Sequence, residues 1–214
     1  TLKLLSRWNS FFQEQSIGIF HVFVFASFVF CAIFIYLILL HLKVEWWVAA
    51  LGGFSAMVMS PQIFRLSGHI SLAYSAAFPL VWWLFLKFRK SKNKWLLSLW
   101  LVAVTVLLFF LHPYLGMIAA FFLILSWMIE FITEKTPFTW KNLSLASFQS
   151  LLPIVIYKSY TLIVDYHFPR GKHPWGFWKY HANWESVFIP NHPPLRSFYE
   201  GIFNFSVLPK WEAW

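Results

Sequence analysis

The sequence predicts an all-α, polytopic membrane protein, and three observations carry that prediction. Of 214 residues, 59% are hydrophobic and 12% charged, where a soluble domain carries about 25% charged residues. The apolar residues arrive in long uninterrupted blocks, the pattern of an integral membrane protein. The cations collect between those blocks: five of the 17 Lys and Arg lie in the single stretch KFRKSKNK, at Lys87, Arg89, Lys90, Lys92 and Lys94. A net charge of +9 gathered into loops is what lipid headgroups attract, so it does not argue for nucleic acid. The lone Cys31 excludes an internal disulfide.

Each element follows from the same reasoning. Residues 1–17 place Leu4, Leu5, Trp8, Phe11 and Phe12 at helical spacing, with Lys3, Arg7, Asn9 and Gln13 opposite. That is a helix lying in the membrane interface, or a frayed leader to the first span. A spanning helix needs about 20 apolar residues. Six blocks reach or approach that length: 18–41, 46–64, 70–88, 95–111, 114–132 and 145–165. As one helix, 95–131 would be about 55 Å long, too long for a bilayer. The sequence HPYLG at 112–116 therefore predicts a turn, because Pro113 removes a backbone donor. Pro79 and Pro153 predict kinks in the third and sixth spans. Small residues four apart (Ala49 and Gly53, Gly52 and Ala56, Ser71 and Ser75) predict close helix contacts. The resulting organisation is an interfacial segment at 1–17, a transmembrane bundle at 18–165, and an extracytoplasmic, aromatic-rich segment at 166–214. The start at Thr1 and the stop at Trp214 read as an excerpt of a longer protein.

Orientation comes from the loops. With residue 18 starting outside, the inner loops hold eight Lys and Arg, and the short outer segments hold three (Lys3, Arg7 and Arg65). That bias puts the N-terminus outside. The breaks SPQIFRLSGHI at 60–70 and HPYLG, and the tail, then share the extracytoplasmic face.

These breaks carry the candidate chemistry. Arg65 is a permanent cation and His69 a switchable one; together they suit the phosphate of a lipid-linked substrate, or ordinary headgroup contact. His112 and Tyr114 at membrane depth line a cavity, or mark a kink satisfied by its neighbours. Lys158 either snorkels to the interface or faces an anionic ligand. Asp165, the single Asp of the chain, closes the sixth span beside the same cavity and cannot by itself supply paired acid and base chemistry. In the tail, Trp175, Trp178 and Trp184 form stacking faces for sugar rings or an interfacial belt. His167, His173 and His181 lack zinc-site spacing, so no metal site is assigned.

Taken together, the stretches SPQIFRLSGHISLAYSAAFPLVWWLFL, LLFFLHPYLGMIAAFFLIL and WESVFIPNHPPL resemble the bacterial membrane-integral glycosyltransferases of the GT-C superfamily, over roughly residues 46–195. The resemblance implies inverting transfer of a sugar from a polyprenyl-phosphate donor to an acceptor at the extracytoplasmic face of the inner membrane. In such a transfer Arg65, His69 and Lys158 are the candidates for the donor phosphate, by their charge, and the tail tryptophans for the acceptor, by their stacking faces. The resemblance also implies a catalytic Asp or Glu in a loop after a first span. No such loop precedes residue 18, where Glu14 is the one carboxylate, so that residue is expected upstream of Thr1. No cofactor is fixed, and the resemblance leaves room for a divalent metal. The expected partners are the lipid-linked donor and membrane lipids, with protein partners open. Two other readings suit the same residues: a non-catalytic membrane subunit that scaffolds a complex, and a transporter or flippase of lipid-linked saccharides.

Overall fold

The computed structural model describes residues 14–67 and 70–164. Most of the 1–17 segment, His69, Asp165 and the tail with Trp175, Trp178 and Trp184 lie outside the described residues. The regular structure described is entirely helical. Six α-helices follow in order: α1 Ser16–His41, α2 Trp46–Val58, α3 Ala77–Lys90, α4 Lys94–Leu111, α5 Pro113–Ile132 and α6 Trp140–Val164, with 3₁₀ segments at Pro61–Ser67 and Ile70–Leu72 between α2 and α3. Each predicted block thus holds one helix.

Three of these helices, α1, α4 and α5, are long and apolar enough to cross a membrane. They are apolar outward as well as inward: Phe23, Phe25, Phe30, Leu107, Phe121 and Leu125 are all at least half exposed. In water such a surface would associate, whereas in a bilayer it is the lipid contact. α6 is long enough at 25 residues but carries Lys141, Asn142, Gln149 and Lys158.

The second and third blocks differ from expectation. Their helical parts are 13 and 14 residues, about 20 Å each, which is short for a span. Pro61 starts the first 3₁₀ segment, and a proline disfavours helix in the residue before it. Pro79 does not kink α3. It is the third residue of that helix, where a missing N–H costs no intrahelical bond. Pro153 does lie inside α6.

The turn expected over 112–116 is a single residue. His112 is extended, with φ −159° and ψ 130°, and α5 starts at Pro113. Pro at the first helical position suits the fixed φ and the missing donor. The His112 imidazole accepts from the Tyr114 N–H at 3.3 Å, doing the work of a cap. A Cβ on Gly116 would collide with the Phe109 ring, so this glycine is what lets α5 fold back tightly on α4.

α1 packs on α2 and α3, α3 on α4 and α5, and α4, α5 and α6 on one another. Trp95 meets Phe148 while Phe109 stacks on Tyr157 at 5.0 Å, so α4 and α6 run in the same direction. Val81, Leu101 and Leu123, from three helices, are fully buried at the centre. A polar cluster joins α4, α5 and α6 inside this core. The Trp127 indole N–H donates to Gln149 Oε1 at 2.9 Å, Gln149 Nε2 donates to Ser98 Oγ at 2.8 Å, and Ser98 donates to the Lys94 carbonyl at 2.8 Å.

The small-residue contact is realised between α1 and α2. Ala49 is fully buried, and a Cβ on Gly53 would stand 2.5 Å from the Ala32 carbonyl oxygen. Backbone cannot give way as a side chain can, and lipid offers no hydrophobic force to hold displaced helices together. Gly53→Val is therefore expected to cost about 2 kcal/mol. Gly18→Ala should be nearly silent, because its nearest neighbour atom is 3.7 Å away. Thermal unfolding in detergent checks the contrast.

Candidate functional site

The chain direction sorts the candidate residues onto the two ends of the bundle. α2–α3 break, the His112 break and the C-terminal part of α6 lie at one end. The α1–α2 turn, the KFRKSKNK stretch and the α5–α6 loop lie at the other.

At the first end, the α2–α3 break is recessed. Ser75 donates to the Ser27 carbonyl at 3.2 Å, and Ser27 donates to the carbonyls of Val24 and Ala73 at 2.7 and 3.5 Å. Val24, Phe28 and Ala73 form a small buried cluster with Leu66, Ile70 and Tyr74 packed against it, and Tyr74 meets Phe20 edge-on. The break thus runs alongside Phe20–Phe28 of α1, within that helix's length and not beyond its end. Irregular backbone at such depth needs protein or water around it, and the serines supply hydrogen bonds for it.

Arg65 sits on this break, half-buried, with no carboxylate partner among the described residues. His112 and Tyr114 lie on the α4–α5 side, their rings 5.1 Å apart; Tyr114 is 66% exposed. Lys158 is exposed on α6, next to Tyr157 and Tyr160, which contact Phe110 at 5.8 and 4.9 Å. The fold brings His112 and Lys158 to the same pair of helix ends. It places Arg65 at the same end of the bundle but on the α1–α3 side.

The other end holds a cavity that the sequence reading did not anticipate. It has a volume of about 440 Å³, a floor that includes Phe85, Phe88, Trp127 and Leu145, and a rim carrying Arg89, Lys90, Lys94, Lys135 and Lys141. Its one carboxylate is Glu130, buried near the end of α5. Arg89 Nε meets Glu130 Oε1 at 2.9 Å, and the Thr136 hydroxyl donates to Oε2 at 3.2 Å. Glu134 closes α5 in the left-handed region, at φ 54°, which swings Lys135 and Thr136 back over Glu130. Asn142 donates to the Pro137 carbonyl at 2.8 Å, and its N–H bonds to the Thr139 hydroxyl, so the α5–α6 loop is tied at both ends. Lys94 donates to the Phe88 and Arg89 carbonyls, both at 2.7 Å, and thereby caps α3.

Among the described residues no group of three His, Cys, Asp or Glu side chains could hold a metal ion. No curated protein and no solved structure matches the chain. A family described as Domain of unknown function (DUF6311) matches residues 1–211, and the chain belongs to that family.

Proposed function

We propose that this chain is the membrane part of a glycosyltransferase that moves a sugar from a polyprenyl-phosphate donor to an acceptor at the extracytoplasmic face of a bacterial inner membrane. The observation that supports this best is Arg65: a permanent cation on a recessed, broken segment, facing no carboxylate among the described residues. A cation at membrane depth marks a ligand path by default. In such a transfer the donor phosphate leaves, and a fixed guanidinium stabilises the charge that develops on it. His69, on the same break, would add a second donor, and Lys158 a third. Trp175, Trp178 and Trp184 would stack on the acceptor sugar. The base that deprotonates the acceptor hydroxyl would be a carboxylate.

In this reading all six helices cross the membrane, α2 and α3 completing their crossings through the 59–76 segment. The cation bias then keeps the KFRKSKNK loop inside. Single-cysteine variants at Lys90 and Ser197, with Cys31 replaced, test the topology. A membrane-impermeant maleimide applied from outside should label position 197 and spare position 90. Labelling of position 90 would invert the orientation and remove the proposed site with it.

Arg65→Ala in the folded protein is expected to lower sugar transfer by about tenfold or more, the value of one charge-assisted contact. Lys92→Ala should change it by less than about twofold, since that lysine lies in the loop at the opposite end. Equal losses in both variants would remove the case for a specific phosphate contact. A transporter would instead need inward-facing charges along several spans. Among the described residues the one buried charged side chain is Glu130, and it is paired at the basic end.

A further inference from the structure

The basic-end cavity has no role in the transfer proposed above, and its contents have a chemistry of their own. Five cations rim it against the single carboxylate of Glu130, which is already committed to Arg89 and Thr136. Lys94 is committed to the end of α3. Lys90, Lys135 and Lys141 have no ion pair or side-chain hydrogen bond among the described residues, and Arg89 uses only Nε on Glu130. The walls are held in place by Glu130, by the tied α5–α6 loop and by the buried aromatic floor.

The position adds a second constraint. The cavity opens where α3 and α5 end and α4 and α6 begin, which is headgroup level for a helix bundle in a bilayer. Its floor is apolar and its rim cationic, so one ligand can place hydrocarbon or a glycerol backbone below and an anion above.

We propose that this cavity binds a phosphate group, held by Arg89, Lys90, Lys135 and Lys141 at the basic face of the membrane. Arg89 is the anchor because Glu130 fixes the guanidinium and leaves its two terminal amino groups for a bidentate contact with phosphate oxygens. The lysines supply point charges around it. Phosphate of this kind comes either from an anionic phospholipid or from a soluble phosphate compound, and the cavity's size admits a headgroup or a small polyphosphate. The inference is independent of the transfer reading, since it concerns binding at the opposite end of the bundle.

Calorimetric titration of the full chain in a neutral detergent tests it with three probes: dioctanoyl phosphatidylglycerol, dioctanoyl phosphatidylcholine and inorganic pyrophosphate. Saturable binding of phosphatidylglycerol without pyrophosphate would identify a lipid site, and saturable binding of pyrophosphate a site for soluble phosphate; phosphatidylcholine should bind neither tightly nor saturably. The exposed lysines can be replaced without disturbing the core. The double variant K135Q/K141Q is expected to weaken binding about tenfold or more, and K92Q, in the same basic face but off the cavity, by less than about twofold. No saturable binding of either anionic probe, tight binding of phosphatidylcholine, an unchanged double variant, or an equal loss in K92Q would each overturn the proposal.

Discussion

Arg89→Met is expected to destabilise the protein by about 3 kcal/mol, while Glu130→Gln, at the other end of the same ion pair, costs only about 1 kcal/mol. The asymmetry comes from burial. The Glu130 side chain is 8% exposed and that of Arg89 is 38% exposed. Removing Arg89 leaves a carboxylate inside the bundle without its ion-pair partner, with the Thr136 hydroxyl as its remaining side-chain hydrogen-bond partner and the Lys94 charge acting on it from nearby. Removing the charge on Glu130 leaves a guanidinium that already reaches solvent. Replacing both, as Arg89→Met with Glu130→Leu, should recover much of the loss, because a buried pair exchanged for packed apolar groups is often neutral or better. Thermal unfolding of the three variants in one detergent reads the order. A Glu130 variant less stable than the Arg89 variant would contradict this account of the pair.

Gln149→Ala should be comparably damaging, at about 3 kcal/mol. Gln149 is fully buried and touches both other helices of its cluster. Its loss empties a side-chain volume, leaves the Trp127 indole N–H without an acceptor and takes one donor from Ser98. Gln149→Leu separates the two causes. It fills the volume but restores no hydrogen bond, so it should cost about 1–2 kcal/mol, the penalty of the unmet indole. Ser98→Ala should be milder than either, because it leaves the Trp127 to Gln149 bond intact. If Gln149→Leu proved as damaging as Gln149→Ala, the cluster would matter through its hydrogen bonds alone.

The sequence made parts of this arrangement legible for identifiable reasons. α1, α4 and α5 begin and end within two residues of the expected bounds, because long apolar blocks end abruptly at Leu42–Lys43, Asn93 and His112–Pro113. The Gly53 contact was readable from small residues four apart. The shape of the α2–α3 region was not, since apolar composition is the same whether a segment spans as helix or folds as a short helix and 3₁₀ turns. What fixes that shape is long-range: Ser27 on α1 holding Ala73 and Ser75. The α6 start lies five residues before expectation, at Trp140, because Thr139 and Asn142 organise the first turn.

The basic-end cavity was missed for a related reason. KFRKSKNK reads as a topology signal, and a loop needs no site to explain its charge. The overlooked signal was Glu130, a carboxylate inside the apolar run SWMIEFI, two residues from the end of α5. Such a group requires a partner, and the densest basic stretch in the chain is KFRKSKNK. The candidates on the opposite end divide in the structure: His112 and Lys158 share one pair of helix ends, and Arg65 stands across the bundle on the recessed break.

That recessed break is where the proposed donor must sit, so a photoreactive donor tests the account most directly. A polyprenyl-phosphate sugar bearing a diazirine beside its phosphate would be irradiated with the protein in nanodiscs, and the labelled peptides identified by mass spectrometry. The account predicts label within residues 59–76, suppressed by unlabelled polyprenyl phosphate and reduced in Arg65→Ala. Label confined to lipid-facing positions such as those around Phe23 and Leu125, unaffected by competitor and by Arg65→Ala, would contradict it.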